Sequence, residues 1–192
     1  CDVPNLSTSL YFIVNDQFYA KALPKTKFND GIIVDSLNRM ATEHPELVRK
    51  YYGRIAHTEA DAVTALNTML AQDGLFIYVP KNVQMERTVQ VVNILRSDVD
   101  LMVNRRVLIV LEDGAKAQFL FCDHAADNRN FLATQVIEAF VGDNARLELN
   151  CLEETHAKNT RVSNVYIEQQ RNSRVSHNVI TLHNGVTRNM LD

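Results

Sequence analysis

Tryptophan is absent from this 192-residue chain, glycine occurs only six times and proline four times. Antiparallel hairpins joined by tight turns rely on glycine, so its scarcity favours another way of connecting strands. No stretch approaches the roughly 20 apolar residues that a membrane helix requires. No signal-peptide pattern precedes the first predicted strand, so the sequence predicts a soluble chain.

Cysteine and basic clusters are equally sparse. Cys1, Cys122 and Cys151 form neither an even set nor a Cys-x-x-Cys pair, which argues against a disulfide framework or zinc knuckle and favours the cytoplasm. The net charge is -3 and lysine and arginine are scattered, so we expect no nucleic-acid or membrane partner. Because the chain opens on Cys1, we expect a fragment of a longer protein, with a lipid-modified cysteine as the alternative.

The sequence predicts a small α+β segment over residues 1–73. Strands at 10–14 and from Phe18 onward form a hairpin around a turn at Asn15 and Asp16. A third short strand is predicted at residues 32–34, and helices are expected after it.

Residues 35–73 are predicted to be mostly helical. Pro45 suits a first helical position. Thr58 and Asp61 resemble a capping box at the start of a second helix, which Gly74 ends. The predicted apolar faces are Leu47, Val48, Tyr51 and Tyr52 on the first helix, and Val63, Leu66 and Leu70 on the second.

From Gly74 onward the helical period gives way to strands. Residues 75–79 are a run of β-formers that Pro80 must end, because proline has no amide hydrogen and a fixed φ. Asn82 gives a further turn signal, and residues 88–93 then alternate with period two. The pattern predicts a strand, a corner and a second strand.

A polar corner then recurs three times. It reads DGAKA at Asp113, DNARL at Asp143 and RNSRV at Arg171, at intervals of about 30 and then 28 residues. The basic residue of each repeat is Lys116, Arg146 or Arg174. The inward rows that follow are Ala117, Phe119 and Phe121, then Leu147, Leu149 and Cys151, then Val175, His177 and Val179.

Alternating residues that recur at a fixed long period indicate stacked coils, because each coil buries its inward row on the row of its neighbour. The repeat therefore predicts a parallel β-solenoid. A β-sandwich is the alternative, but it gives no reason for the corner residues to repeat.

Five segments resemble the SufB/SufD family of iron-sulfur cluster assembly scaffolds, whose core is a right-handed parallel β-helix. They are GLFIYVPKNV at Gly74, VNILRSD at Val92, RRVLIVLEDGAKAQFLFCDH at Arg105, FLATQVIEAFVGDNARLEL at Phe131 and TLHNGVTRN at Thr181. The early LYFIVNDQFYAKAL and EHPELVRKYYG favour the SufD branch.

The resemblance implies a mainly β fold, in which the α+β segment precedes a right-handed parallel β-helix over residues 74–192, the first coils of a longer core. It implies a non-catalytic subunit that pairs with a SufB-like paralogue, and with a SufC-like ATPase through a C-terminal domain absent from this chain. The full complex would assemble the cluster transiently, and the chain would hold no cofactor of its own. No catalytic or cofactor-binding residue of the family matches here, and a homodimer of the fragment is expected from its open strand edges.

Two cysteine-containing clusters are candidate metal ligands. Cys122, Asp123 and His124 form a possible soft-metal group, for which an ordinary surface turn is the preferred interpretation. Cys151 is predicted to face inward as a small hydrophobe, with Glu153, Glu154 and His156 near the following corner. Contact of Cys122, His124, Cys151 or His177 with iron or sulfur is left open.

The remaining histidines and asparagines favour structural roles. His177 should be inward, neutral and hydrogen-bonded, and His183 should lie at a turn. His44 is predicted to begin a helix and His57 to lie in a loop. Asn144 and Asn172 share the corner position of the repeat, where asparagine tolerates a left-handed backbone. We expect the side chain of each to form a hydrogen bond with its neighbour in the next coil.

Two other functional classes are compatible with a solenoid. A carbohydrate-active β-helix enzyme requires a groove lined by acids and aromatic residues, which an aromatic content of 7% without tryptophan disfavours. The second class is a generic solenoid that binds other proteins and has no link to iron-sulfur clusters. Only the family resemblance favours the scaffold over this alternative.

Overall fold

The computed structural model describes residues 7–22 and 30–192, so Cys1 lies outside the described residues. Twelve strands and three α-helices follow one another there, with a short 3-10 turn at Ala20–Ala22. In chain order they are β1 Ser9–Val14, β2 Gln17–Phe18, β3 Ile33–Ser36, α1 Leu37–Glu43, α2 Pro45–Tyr51, α3 Ala62–Leu70, β4 Gly74–Val79, β5 Val89–Leu95, β6 Leu101–Leu111, β7 Lys116–Ala125, β8 Phe131–Val141, β9 Arg146–Glu154, β10 Asn159–Gln169, β11 Arg174–His183 and β12 Val186–Leu191.

The strands form two six-stranded sheets that face each other across one core. The first sheet has the order β11-β9-β7-β5-β1-β2 and the second has the order β12-β10-β8-β6-β4-β3. Neighbours from β4 onward are parallel and alternate between the sheets along the chain, so each coil contributes one strand to each sheet. The predicted parallel β-solenoid is confirmed.

The register of the coils matches the sequence repeat. Lys116 pairs with Arg146 and Arg146 with Arg174, while Phe119 pairs with Leu149 and Leu149 with His177. The apolar side chains of these inward rows pack with those of the second sheet in one continuous core. The period of the repeat is therefore the length of one coil.

A column of left-handed residues forms one corner of the solenoid. Asn82, Gly114, Asn144 and Asn172 have φ values of 60°, 69°, 59° and 57°. The Asn172 Nδ2 donates to Asn144 Oδ1 over 3.4 Å, so the asparagines bond along the column. Asparagine and glycine tolerate this conformation, which confirms the predicted role of Asn144 and Asn172.

The N-terminal hairpin forms the first rung of the solenoid. β1 and β2 are antiparallel around Asn15 and Asp16, as predicted, and β1 also pairs with β5 in parallel. β3 pairs with β4 in antiparallel fashion at the same end of the second sheet. The predicted domain division at residue 73 stays a prediction.

The start and end of α3 differ from the sequence prediction. Asp61, rather than Thr58, is the N-cap, because its Oδ1 accepts from the Thr64 amide at 2.8 Å. Gly74 does not end the helix, since α3 stops at Leu70 and Gly74 begins β4. A Cβ at Gly74 would lie 1.9 Å from the Arg106 carbonyl oxygen. Glycine is therefore required at this position because β4 and β6 approach each other closely.

Polar side chains dock α3 on the outer face of the second sheet. Thr64 and Asn67 are fully buried, whereas Val63 and Leu66 of the predicted helical stripe are half-buried and Leu70 is 39% exposed. The polar contacts are Asn67 Nδ2 to the Arg105 oxygen at 3.1 Å and to Thr134 Oγ1 at 2.9 Å, Thr64 Oγ1 with Tyr166 Oη at 2.8 Å, and Asn164 Nδ2 to Asp61 Oδ1 at 2.7 Å. Hydrogen bonds therefore replace the expected apolar contact.

A buried ion pair anchors the loop between α2 and α3. Arg106 and Glu138 are fully buried, with 2.5 Å between Nη2 and Oε2. The Glu138 carboxylate also accepts from the backbone amides of Gly53, Ile55 and Ala56. One side chain of β8 thus satisfies four donors and holds the loop against the sheet.

The corner column predicts a sharp dependence on residue type. Asn144→Val should lower the free energy of unfolding by about 1–2 kcal/mol, because a β-branched residue is strained at positive φ. Urea denaturation followed by circular dichroism measures the difference. Asn144→Gly is the matched control and should change stability little; equal losses in both variants would contradict the backbone explanation.

The ion pair predicts a larger effect. Glu138→Gln should lower the free energy of unfolding by about 3 kcal/mol, because Arg106 would remain buried without its carboxylate. Glu168→Gln, an exposed position on the next coil, is the control and should change stability by less than about 0.5 kcal/mol. Similar urea midpoints for both variants would refute the anchoring role.

Candidate functional site

Charged residues cluster inside the solenoid beyond the apolar rows. Asn93, Asp123 and Glu153 lie at paired positions on β5, β7 and β9 and continue the inward rows of the first sheet. Arg105 and Arg161 reach them from β6 and β10 of the second sheet. All five side chains are at most 5% exposed, so the cluster is an internal site.

Asp123 lies between the two arginines. Its Oδ1 is 2.6 Å from Arg105 Nη1 and its Oδ2 is 3.2 Å from Arg105 Nη2, which is a bidentate contact. Arg161 forms an ion pair with Asp123 and lies 3.2 Å, Nε to Oε1, from Glu153. This last contact is outside hydrogen-bond geometry, so it is an ion contact alone. Thr181 Oγ1 donates to Glu153 Oε2 at 2.8 Å.

Burial governs the ionisation of the cluster. Burial lowers the pKa of Arg105 and of Arg161, against the opposing effect of the Asp16 carboxylate on both. Burial also raises the pKa of Asp16 to about 7, against the opposing effect of Arg105. The Asp16 carboxyl, which lines the same small cavity as Arg105 and Asp123, therefore titrates near neutral pH.

Cys151 and His177 flank this cluster on the inward row. Cys151 is 5% exposed, which confirms the predicted inward position, and its Sγ is 3.9 Å from His177 Nε2. Burial raises the pKa of Cys151 to about 12 and lowers the pKa of His177. At neutral pH the pair is a neutral thiol beside a neutral imidazole. The prediction that Glu153 crowds the next corner is wrong, since Glu153 is buried within β9.

The structure also corrects the prediction for Cys122, Asp123 and His124. They lie within β7 rather than in a surface turn. Cys122 faces away from the inward row but is fully buried and accepts from Gln90 Nε2 at 3.6 Å. Burial raises the pKa of Cys122 and lowers that of His124. Asp123 points the opposite way into the arginine cluster, so the three side chains do not form one metal site.

The other histidines mostly follow the sequence. His44 lies between α1 and α2 and is the N-cap position of α2, and His57 lies in the loop before α3. His183 ends β11 rather than lying in a turn. Over residues 7–22 and 30–192, no group of three or more His, Cys, Asp or Glu side chains has metal-binding geometry.

Sequence reasoning missed Arg105, Arg161 and Asp16. Arg105 alternates with Val107 and Ile109 in β6, so its inward direction could have been found from strand parity. The partner carboxylates lie on other coils, and only the register of the solenoid shows which charges meet.

The ion pairs leave little free space inside the cluster. The cavity among Asp16, Asn93, Arg105, Asp123 and their neighbours has a volume of about 10 Å³, which is too small for a substrate. Asp123 is held in ion pairs inside the coil, and Glu153 is the single carboxylate in the lining of a neighbouring cavity of about 160 Å³, which it shares with Cys151, Arg161 and His177. This arrangement does not match the paired open carboxylates of a glycoside hydrolase.

Two family models together match all residues of the chain except residue 92. The model for the SufBD protein N-terminal region matches residues 1–91, and the model for the SufBD core domain of the SUF iron-sulfur cluster assembly system matches residues 93–192. The chain belongs to the SufB/SufD family. The family prediction made from the five sequence segments is confirmed.

Curated SufB/SufD relatives are similar over part of their length. A protein of Bacillus subtilis named iron-sulfur cluster assembly protein SufD is 33% identical over 75% of this chain and 33% of its own, in agreement with the predicted SufD branch. A SufBD family protein of Synechocystis is 30% identical over 67% of this chain and 27% of its own. A chloroplastic SufBD family protein of Arabidopsis thaliana is 28% identical over 69% of this chain and 24% of its own. The chain spans about a quarter to a third of these SufB/SufD relatives.

Within residues 7–22 and 30–192, none of the helices combines the length and apolar character needed to cross a bilayer.

The buried Asp16 predicts a pH-dependent stability. A carboxyl whose folded pKa is about 7, above its usual value near 4, stabilises the fold at low pH and loses this contribution as pH rises through 7. Asparagine does not titrate. The melting temperature of Asp16→Asn minus that of the unmodified chain should therefore increase from pH 5 to pH 8. Asparagine tolerates the positive φ of 66° at this turn, so the backbone is conserved. A difference that is constant with pH would contradict the assignment.

Proposed function

We propose that this chain is a non-catalytic scaffold subunit of the Suf complex, the machinery that assembles iron-sulfur clusters. The observation that carries the proposal is the match of both SufBD family models, which together cover residues 1–91 and 93–192. Relatives that bear the name of iron-sulfur cluster assembly proteins support it.

The chemistry of the interior favours a scaffold over a catalyst. The Cys151 thiol is held protonated by burial, and the carboxylates of Asp123 and Glu153 are bound to arginines. A nucleophilic cysteine needs a lowered pKa, and although His177 Nε2 lies 3.9 Å from the Cys151 sulfur, burial raises the pKa of this thiol. We therefore assign ATP hydrolysis and sulfur activation to partner subunits.

We further propose the cytoplasm as the location and a SufB-like paralogue and a SufC-like ATPase as the partners. The parallel strands at β11 and β12 are the outermost members of the two sheets, so their free backbone groups suit pairing with further strands. The iron-sulfur cluster would be cargo of the assembled complex, and the chain itself would hold no resident cofactor.

Co-purification tests the scaffold proposal. The full-length protein, expressed with a SufB-like chain and a SufC-like ATPase, should elute as one complex that contains iron and acid-labile sulfide. A matched preparation without the SufB-like chain controls for metal bound by this protein alone. A folded protein that elutes apart from both partners would overturn the proposal.

The raised thiol pKa predicts that Cys151 is dispensable for chemistry. Cys151→Ser and Cys151→Ala should leave the iron and sulfide content of the complex within about twofold of the unmodified complex, because a buried cysteine acts as a small hydrophobe. Protein abundance is measured in parallel to separate folding from assembly. Loss of cluster in both variants at normal abundance would show that Cys151 takes part in assembly.

A further inference from the structure

The basic residues of the sequence repeat form a continuous column on the outside of the solenoid. Lys116, Arg146 and Arg174 occupy paired positions on β7, β9 and β11. Their backbones are bonded coil to coil, with the Arg146 amide donating to Ala115 and the Arg174 amide to Ala145. We call Lys116, Arg146 and Arg174 the basic ladder. Strand spacing sets its rungs about 4.8 Å apart.

The basic ladder is not neutralised by neighbouring acids. Among residues 7–22 and 30–192, no carboxylate lies within ion-pair distance of any of its three side chains. The corner beside it differs, because there Lys81 pairs with Asp113 and Arg171 with Asp143. Like charges on neighbouring rungs repel each other, and a bound anion would relieve this repulsion.

A groove runs along the basic ladder. It has a volume of about 460 Å³, and its lining adds Gln84, Gln118, Glu148 and Ser176 to the three cations. Glu148 is the single carboxylate of this lining, and its two oxygens accept from Gln118 Nε2 and Asn150 Nδ2. The lining therefore has a net charge near +2 and supplies amide and hydroxyl groups as further donors.

We propose that this groove binds a small anion with several phosphate groups in line, of the oligophosphate class. Arginine forks bind phosphate oxygens bidentately and lysine adds a point charge, and these long side chains can converge on phosphates that lie closer together than the rungs. The volume lies in the range of small-molecule sites. The site is separate from the internal ion cluster and does not depend on the proposed scaffold function.

The dimensions favour a small ligand over nucleic acid. Three rungs span only about 10 Å, whereas nucleic-acid binding rests on many phosphate contacts. The chain as a whole carries a net charge of -3, which opposes long polyanions. A polycarboxylate such as citrate also carries several negative charges, but in a different geometry, and is the comparison ligand in the test.

Isothermal titration calorimetry at about 0.15 M salt tests the proposal, with tripolyphosphate, inorganic phosphate and citrate as ligands. Tripolyphosphate should bind at least tenfold more tightly than either of the others. Arg146→Gln, at the central rung, should weaken that binding at least tenfold. Arg49→Gln on α2 is the matched control, because it removes the same charge from an exposed position on the helical flank.

Three outcomes would overturn the proposal. They are absence of tripolyphosphate binding, equal or tighter binding of citrate, and equal weakening by Arg146→Gln and Arg49→Gln. Circular dichroism checks that each variant is folded. Arg146→Lys serves as a second variant that conserves charge but removes the fork, and an affinity between those of the unmodified chain and Arg146→Gln would support bidentate contact.

Discussion

Parallel hydrogen bonding between successive coils is the constraint on which the rest of this structure depends. It fixes the register, so residues that share a position in the repeat also share a column in space. Apolar positions become the core, asparagine positions become a left-handed corner and basic positions become the basic ladder. Each of these features is a property of a column and is invisible in any single coil.

The same constraint creates an electrostatic problem inside the coil. Asp123 and Glu153 continue inward rows that are otherwise apolar, and isolated charges there would be costly to desolvate. The two arginines from the facing sheet offset this desolvation cost through direct ion contacts with the carboxylates. Such networks add little net stability, because the cost of desolvation offsets the attraction between the charges. They favour one register of the strands, because any shift of register would separate the partners.

The sequence was most informative where one coil repeats the next. The corners at Asn144 and Asn172 and the inward position of Cys151 followed from parity and period alone. The errors arose where contacts cross between distant segments. Cys122 and Asp123 were assigned to a surface turn because the length of β7 is set by pairing with its neighbours, and the burial of Thr64 and Asn67 is set by polar groups of the sheet beneath them.

The polar docking of α3 has a consequence for how the solenoid unfolds. In a one-dimensional stack each coil contacts only its neighbours, so coils can fray one at a time from an end. The side chains of α3 reach backbone or side-chain groups on β6, β8 and β10, which belong to three successive coils. The helix therefore acts as a clamp across the repeat axis, and the coils that it spans should open as one cooperative unit instead of in sequence.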